Sequence, residues 1–303
     1  MRINQNIMSS IFVSNLRRQT QGMLQRQEQI ATQKRINRPS DDPSGMRRVL
    51  AGRSSLAAIT QYIDNINQGK TRLKFTEQTL GFVDELIGQA HRIAQEKSEN
   101  GATSLERSLA AEQVKGIYDM VLQFANSRFG DRYMFSGHQT DTAAFTRDND
   151  FNATYNGDAG NFKIPIAENV EVAIDADGRN FFQDAVNGGV NIFDQLRDLI
   201  AGLENPDLPL GTTQIQATVD PLEAAKLQVA NKRSEVGPKL YRLQATEEHW
   251  TNVRNTVQAA IGREEDADVA QAIIELKNLE TAYQSTIAAA SRIIQPSLVN
   301  FLK

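Results

Sequence analysis

The sequence predicts a mainly α-helical chain with a β-rich insert, in which N- and C-terminal segments pair as a long antiparallel helical rod or coiled coil. Three observations predict it. Ile59, Ile66, Leu73, Leu80, Ile87 and Ala94 stand seven residues apart, with Ile63 and Val83 on the neighbouring row. Leu222, Val229, Val236, Leu243, Trp250 and Val257 keep the same spacing, with Leu240 and Val253 beside them. Between the two ladders, turn pairs and alternating apolar residues replace the helical period. A seven-residue apolar repeat holds one stripe of a long helix against a partner helix. The chain is therefore expected to go out along one rod, form an insertion at the far end and return along the other.

From the N-terminus, Ile3, Ile7, Ile11, Phe12, Leu16, Met23, Leu24 and Ile30 recur at helical gaps up to about Ile36, on a narrow stripe opposite Gln, Ser and Arg. A break follows at Asn37-Arg38-Pro39-Ser40-Asp41-Asp42-Pro43, where Pro39 biases Arg38 away from the α region. Asp42 can cap the next helix with Pro43 at its first position. That helix, from about Pro43 to Lys97, would be roughly 80 Å long at about 1.5 Å per residue. Gly52, Gly69, Gly81 and Gly88 strain it, at about 1 kcal/mol each. Ser98-Glu99-Asn100-Gly101 reads as its C-cap.

A shorter helix is expected from Ser104 to Arg128, burying Leu109, Val114, Ile117, Val121 and Phe124. Ser104 would cap it only in part, since Arg107 stands where a capping box wants an acid. After Gly130 come the hairpin-type pairs Asn156-Gly157, Asp177-Gly178 and Gly188-Gly189. Phe162, Ile164 and Ile166 alternate, as do Val170, Val172 and Ile174, so Ala167-Glu168-Asn169 should join two strands. Ile192, Leu196, Leu199 and Leu203 mark one short helix inside the insert.

The returning rod should start at Asp220-Pro221-Leu222-Glu223, kink at Gly237-Pro238 and run to about Ile261. Gly262 to Asp268 is a second break, its acids suited to a helix N-terminus. The last helix carries Val269, Leu276, Tyr283 and Ala290 at a spacing of seven, with Ile273, Ile287, Ile294 and Phe301 on an adjacent row. Pro296 should bend its last turns. Toward its end Ile293, Ile294, Leu298, Val299, Phe301 and Leu302 make it apolar nearly all round, and such a helix must be buried by something. The two breaks lie about equally far from the two ends, so terminal helices of matched length can lie side by side. The narrow first stripe cannot cover the last helix, which points to an assembly subunit. Ile3, Ile7, Ile11, Ile287, Ile294, Leu298, Phe301 and Leu302 are the expected assembly contacts. Asn37, Arg38, Pro39, Asp41, Asp42 and Pro43 form the expected inter-domain joint.

Composition narrows the function. With 303 residues and 40% hydrophobic content, the chain can hold two or three domains and a sizeable core. A net charge of -4 gives no support for nucleic-acid binding. Arg17, Arg18, Arg26, Lys34, Arg35 and Arg38 cluster, but Gln and Glu interleave them, so a solvated or partner-facing helix side is expected. The absence of cysteine excludes disulfides, thiol catalysis and cysteine-ligated metals. The first residues have no apolar h-region, so Sec export is not expected. No run approaches the roughly 20 apolar residues of a membrane span.

Chemical motifs fail on spacing. Ser136, His138 and Asp141 are too close in sequence for a nucleophile relay, and a tight turn is the plainer account. His91 and His249 lack a second ligand at i+4. Asp148, Asp150 and Asn152 begin like a calcium loop, but Ala153 and Ala159 stand where glycine and glutamate are required. No phosphate-cradling loop is present. Trp250 shares a stripe with Leu243 and Val257 and is expected to pack; Tyr283 is open between intramolecular core and inter-subunit contact. No enzyme activity and no cofactor are expected.

Residues 34–45, Lys34-Arg35-Ile36-Asn37-Arg38-Pro39-Ser40-Asp41-Asp42-Pro43-Ser44-Gly45, resemble the segment joining the N-terminal helices of bacterial flagellins and their junction relatives. Arg132-Tyr133-Met134-Phe135-Ser136-Gly137-His138-Gln139-Thr140-Asp141-Thr142 resembles a turn of the hook–filament junction branch. Ala282-Tyr283-Gln284 through Gln295-Pro296-Ser297-Leu298 to Asn300-Phe301-Leu302 resembles its C-terminus, while Asp148 to Thr213 matches little. The resemblance implies terminal assembly helices at 1–38 and 267–303, a helical rod at 39–130 and 220–266, and a β-rich outer domain at 131–219. It implies a secreted, extracellular structural adaptor of the flagellum, exported by the type III apparatus with a cytoplasmic chaperone on the C-terminal helix. Copies would form a ring beside a neighbouring hook-associated protein and flagellin. Filament-forming flagellin and a cytoplasmic coiled-coil scaffold are the rival expectations.

Overall fold

The two seven-residue ladders fold as helices longer than the segments that carry them. The computed structural model describes residues 2–99, 102–174, 177–183 and 188–299, with the side chains of 2–6, 8 and 292–299 outside the description. The helices are α1 Arg2–Thr32, α2 Pro43–Ser98, α3 Ser104–Ala125, α4 Gly178–Phe182, α5 Ile192–Glu204, α6 Leu208–Glu265 and α7 Val269–Val299. Three antiparallel two-stranded pieces lie between α3 and α4: β1 Arg128–Phe129 with β2 Arg132–Tyr133, β3 Phe145–Arg147 with β4 Ala153–Tyr155, and β5 Lys163–Ala167 with β6 Val170–Ala173. The chain divides into two compact units, Met1–Ile59 with Asn252–Lys303 and Thr60–Thr251, and α2 and α6 each run from one into the other.

Within Thr60–Thr251, Ile66, Leu73, Val236 and Leu243 are buried together with Ile164, Ile166, Val172 and Ile174 of the β5–β6 hairpin. This corrects the expectation that everything between the ladders sits beyond the rod. A two-stranded sheet is marginal alone and its apolar face must be covered, and here α2 and α6 cover it. Asn65 Nδ2 donates to the Pro165 carbonyl at 2.9 Å, and Trp250 Nε1 to that of Ile166 at 2.7 Å. Gly69 lets the sheet approach, since a Cβ there would collide with Ile164 Cδ1 and stand 3.1 Å from Ile174 Cγ2. That glycine is a packing requirement rather than a weak point.

The second core of this unit joins α2 from Leu80 to Ala94, α3, α4, α5 and α6 from Ile215 to Val229. Its centre is aromatic: Phe145 has the rings of Tyr155, Phe182 and Phe193 at 5.1, 5.5 and 5.1 Å. Burial pushes the Tyr118 hydroxyl up to about 12, and it donates to the Phe151 carbonyl at 2.8 Å.

Other local expectations are corrected. The helix α6 starts at Leu208, where the Asp207 side chain accepts from Leu210 N–H at 3.2 Å, and it continues through Pro221 and Pro238. Ile215 extends the ladder one step before Leu222, and both are fully buried, which carries the helix past Pro221. At α3 the cap is Thr103, in a full capping box with Glu106. Leu109 is exposed there and Arg107 is buried, donating to the Leu208 carbonyl at 3.1 Å. The Asp177-Gly178 pair caps α4 instead of turning a hairpin. The β3–β4 turn is Asp148 to Asn152, with Asp148 Oδ1 accepting from the N–H groups of Asp150 and Asn152, and Asn156-Gly157 lies after β4.

Candidate functional site: the terminal helix pair and its charged joint

The narrow stripe on α1 and the wider one on α7 bring these two 31-residue helices side by side in one unit. Gln19 Nε2 donates to Thr286 Oγ1 at 3.1 Å, Arg26 pairs with Glu275 at 2.7 Å, and Gly22 leaves room for Leu279. Leu16, Met23, Ile30, Leu276 and Leu279 are half-buried between them. Among the described residues, Gln29 is the buried residue on α1 and Ala272 the one on α7. Ile7, Ile11, Val13, Leu24, Ile273, Ile274 and Ile287 are all exposed.

The expected contacts Ile7, Ile11 and Ile287 stand at 51%, 54% and 46% exposure. Ile3, Ile294, Leu298, Phe301 and Leu302, with Ile293 and Val299, lie outside the described residues or side chains. Tyr283 is half-buried. In the ladder set, Ile59, Ile66, Leu73, Leu80, Ile87, Leu222, Val229, Val236 and Leu243 are buried. Trp250 and Val257 are half-buried; Trp250 packs on the Tyr62 ring at 5.4 Å, and Val257 lines a groove with Val49, Gly52 and Ile261.

The joint follows from how α1 ends. Contrary to a helix reaching Ile36, α1 stops at Thr32, and Gln33 takes φ 58°, the left-handed conformation that closes a helix. The chain then pairs with the α6–α7 link as one antiparallel bridge, Lys34 with Asp266. Arg35 N–H donates to the Glu265 carbonyl at 2.6 Å and Ala267 N–H to that of Gln33 at 2.9 Å. Ile36 and Val49 are buried at its centre.

The joint residues named from sequence hold the turn into α2. Asp41 Oδ2 accepts from Asn37 N–H at 3.1 Å and Arg38 N–H at 2.9 Å, and Arg38 reaches Glu28 at 3.1 Å. Pro39 lies in the exposed turn and Pro43 opens α2. Asp42 Oδ1 accepts from Gly45 N–H and the Ser44 hydroxyl, both at 2.8 Å. The Gly45 N–H first, then Ser44 and Arg35, hold its carboxyl down at about 2.

Sequence reasoning missed the ionic half. Glu264 and Glu265 end α6 instead of starting α7 as acids at its N-terminus. Arg48 grips Glu264 through Nε at 3.0 Å and Nη2 at 2.9 Å, and this bond, first, keeps the Glu264 carboxyl below its ordinary value. Glu265 receives Lys34 at 2.7 Å and Arg53 at 2.5 Å. Burial pushes its carboxyl up, and those two bonds outweigh it, leaving it lowered. The available signal was the basic set at Lys34 and Arg35 facing the acidic run Glu264-Glu265-Asp266 at the matching break.

Of the other chemical candidates, Ser136, His138 and His249 have structural partners, whereas His91 Nε2 is buried without a hydrogen-bond partner among the described residues. Ser136 Oγ donates to the Tyr133 carbonyl at 3.4 Å, and the acid beside His138 is Asp158, which accepts from its backbone N–H at 2.7 Å. His249 lies against Trp250 at 5.3 Å, and His91 is half-buried. Among the described residues no group of three His, Cys, Asp or Glu is placed to hold a metal ion, and no helix is long and apolar enough to cross a membrane.

Comparison with known proteins adds the following. The model described as bacterial flagellin N-terminal helical region matches residues 3–140, and that of the bacterial flagellin C-terminal helical region matches 219–302. The chain is 25% identical to flagellar hook-associated protein 3 of Escherichia coli, over 72% of this chain and 73% of that one. It is 23% identical to a flagellin of Listeria monocytogenes, over 97% and 96%. Its fold is similar to that of Xanthomonas campestris FlgL, with TM-score 0.63 at 16% identity over 69% of this chain and 99% of that one. The flagellar junction protein FlgL of Legionella pneumophila gives 0.59 at 13% identity, over 72% and 99%.

Proposed function

The chain belongs to the bacterial flagellin family, and from that premise we propose that it is a structural subunit of the bacterial flagellum that joins hook to filament. The observation that carries this reading is the α1–α7 pair, which leaves Ile7, Ile11, Ile273, Ile274 and Ile287 exposed, while its facing residues Leu16, Met23, Leu276 and Leu279 are only half-buried. Apolar surface on that scale, repeated on every copy, is covered when copies pack around a ring, at about 25 cal/mol per Å². Residues 1–38 and 267–303 then make the assembly contacts, with Ile3, Ile294, Leu298, Phe301 and Leu302 among them. The helical parts at 39–130 and 220–266 pack laterally, and 131–219 contributes the outer surface. The neighbours are copies of itself, a hook-associated protein and flagellin. Export follows the type III route, with a cytoplasmic chaperone on α7, and the role is mechanical rather than enzymatic.

Deleting the gene from its host tests this. Hooks should still form, bare of filament, with flagellin shed into the medium and attachment restored by the intact gene. Normal filaments on the deleted strain would refute it. The match to a flagellin over 97% of the chain favours a second reading, a filament subunit. Purified protein polymerising by itself into long filaments would select that one.

A further inference from the structure

We propose that Glu265 is a positioning residue, whose carboxylate and carbonyl together set the register of α1 on α7. The proposal deepens the assembly reading above, because a neighbour can meet the exposed isoleucines only if they are presented in one register. Two segments converge on this residue at the end of α6. Its carboxylate takes Lys34, just past α1, at 2.7 Å and Arg53, on α2, at 2.5 Å. Its carbonyl takes the Arg35 N–H at 2.6 Å. Among the described residues, Glu265 is the one charged residue buried in its unit, 6% exposed.

Among the described residues, the other contacts along the helix pair are weaker guides to its register, its apolar facing residues being half-buried rather than closed into a core. Seven-residue stripes admit shifts of a turn when knobs and holes are shallow, and between α1 and α7 the described buried residues are Gln29 and Ala272. Among the described residues, the polar contacts along the pair are a half-exposed ion pair, Arg26 with Glu275, and one hydrogen bond, Gln19 to Thr286. Exposed pairs of that kind contribute little. A buried carboxylate is different: removing one partner leaves the remaining charge without compensation. Glu264 is the lesser candidate, since its partners Arg48 and Arg35 hold a side chain still 34% exposed.

The chain has no cysteine, so disulfide trapping in the purified full-length protein reads the register directly. Gly22→Cys with Leu279→Cys reports the observed register, where the two residues face each other. Gly22→Cys with Tyr283→Cys reports a shift of one turn. In Glu265→Gln and in Arg53→Gln the ratio of native to shifted trapping should fall by about fivefold, within the coupling expected inside one ion-pair network. The double variant should be no worse than the poorer single. An unchanged ratio overturns the proposal, and so do additive effects. Equal loss of both products means that Glu265 only holds the helices together, which also overturns it. Melting of Thr60–Thr251 in Glu265→Gln does the same. The trapping ratio is independent of whether hooks carry filaments, so the two proposals fail separately.

Discussion

The aromatic head of α3, α4 and α5 and the terminal pair of α1 and α7 are both largely helical, yet they treat apolar side chains in opposite ways. In the head, Tyr118, Phe135, Phe145, Phe182 and Phe193 are fully buried, and their rings touch in a closed cluster. In the pair, Ile7, Ile11, Ile273, Ile274 and Ile287 face outward, its facing apolar residues are only half-buried, and the buried ionic and backbone contacts gather at one end. Apolar content alone therefore does not locate a core. A stripe becomes core when the same chain supplies its complement; otherwise it is left for a partner.

The sharpest way to break this contrast is to truncate one side chain from each region. Phe193→Ala should destabilise Thr60–Thr251 by about 3–5 kcal/mol, read by urea unfolding through Trp250, the single tryptophan. Ile287→Ala should change monomer stability by no more than about 0.5 kcal/mol while abolishing filament attachment. Equal costs would mean that the terminal pair shelters a core of its own. Limited proteolysis makes the same comparison without mutation. It should remove about residues 1–37 and 268–303 and spare the head, since segments with few buried contacts open first. Terminal helices as resistant as α3 and α5 would erase the distinction.

Glycine substitutions sharpen the picture inside Thr60–Thr251. Gly69→Ala should cost about 1–3 kcal/mol by overpacking Ile164 and Ile174. Gly116→Ala, in an exposed turn of α3 with nothing near its Cβ position, should gain about 0.5–1 kcal/mol. Both are read by thermal or urea unfolding, and a stabilising Gly69→Ala would mean the hairpin is not held closely against α2.

These effects also explain how far the sequence could be read. The period of seven from Ile59 to Ala94 and from Leu222 to Val257 is a local, repeated signal, and it locates α2 and α6. The β5–β6 hairpin was legible because Ile164, Ile166, Val172 and Ile174 alternate around a short turn. Its docking onto the helices was not, since a period says which face is apolar and not what covers it. The start of α6 was misplaced because Asp220-Pro221 imitates a helix beginning, although Ile215 already continued the ladder. At the joint, Asp41 and Asp42 act within a few residues and could be named. Lys34, Arg53 and Glu265 come together from distant parts of the chain, and charges carry no periodicity to reveal their partners.

Acid gives the smallest and most selective test. Three joint carboxylates are held below their ordinary values: Asp42 at about 2, chiefly by the Gly45 N–H; Glu264, chiefly by Arg48; and Glu265, where Lys34 and Arg53 outweigh burial. A carboxylate lowered in the folded state contributes stability that is complete above its unfolded value, about 3.9 for Asp and 4.3 for Glu. That contribution is lost as pH falls through the folded value, which for Asp42 means between about 4 and about 2. Carboxylates in the other unit, Glu106, Asp148 and Asp158, are lowered too, but there the buried aromatic core remains when they are protonated. Helical signal by far-UV circular dichroism should therefore fall at higher pH than Trp250 fluorescence changes. Asp42→Asn should move the first transition and leave the second in place. Coincident transitions, or an Asp42→Asn profile identical to the parent, would show that the joint carboxylates do not hold the terminal pair.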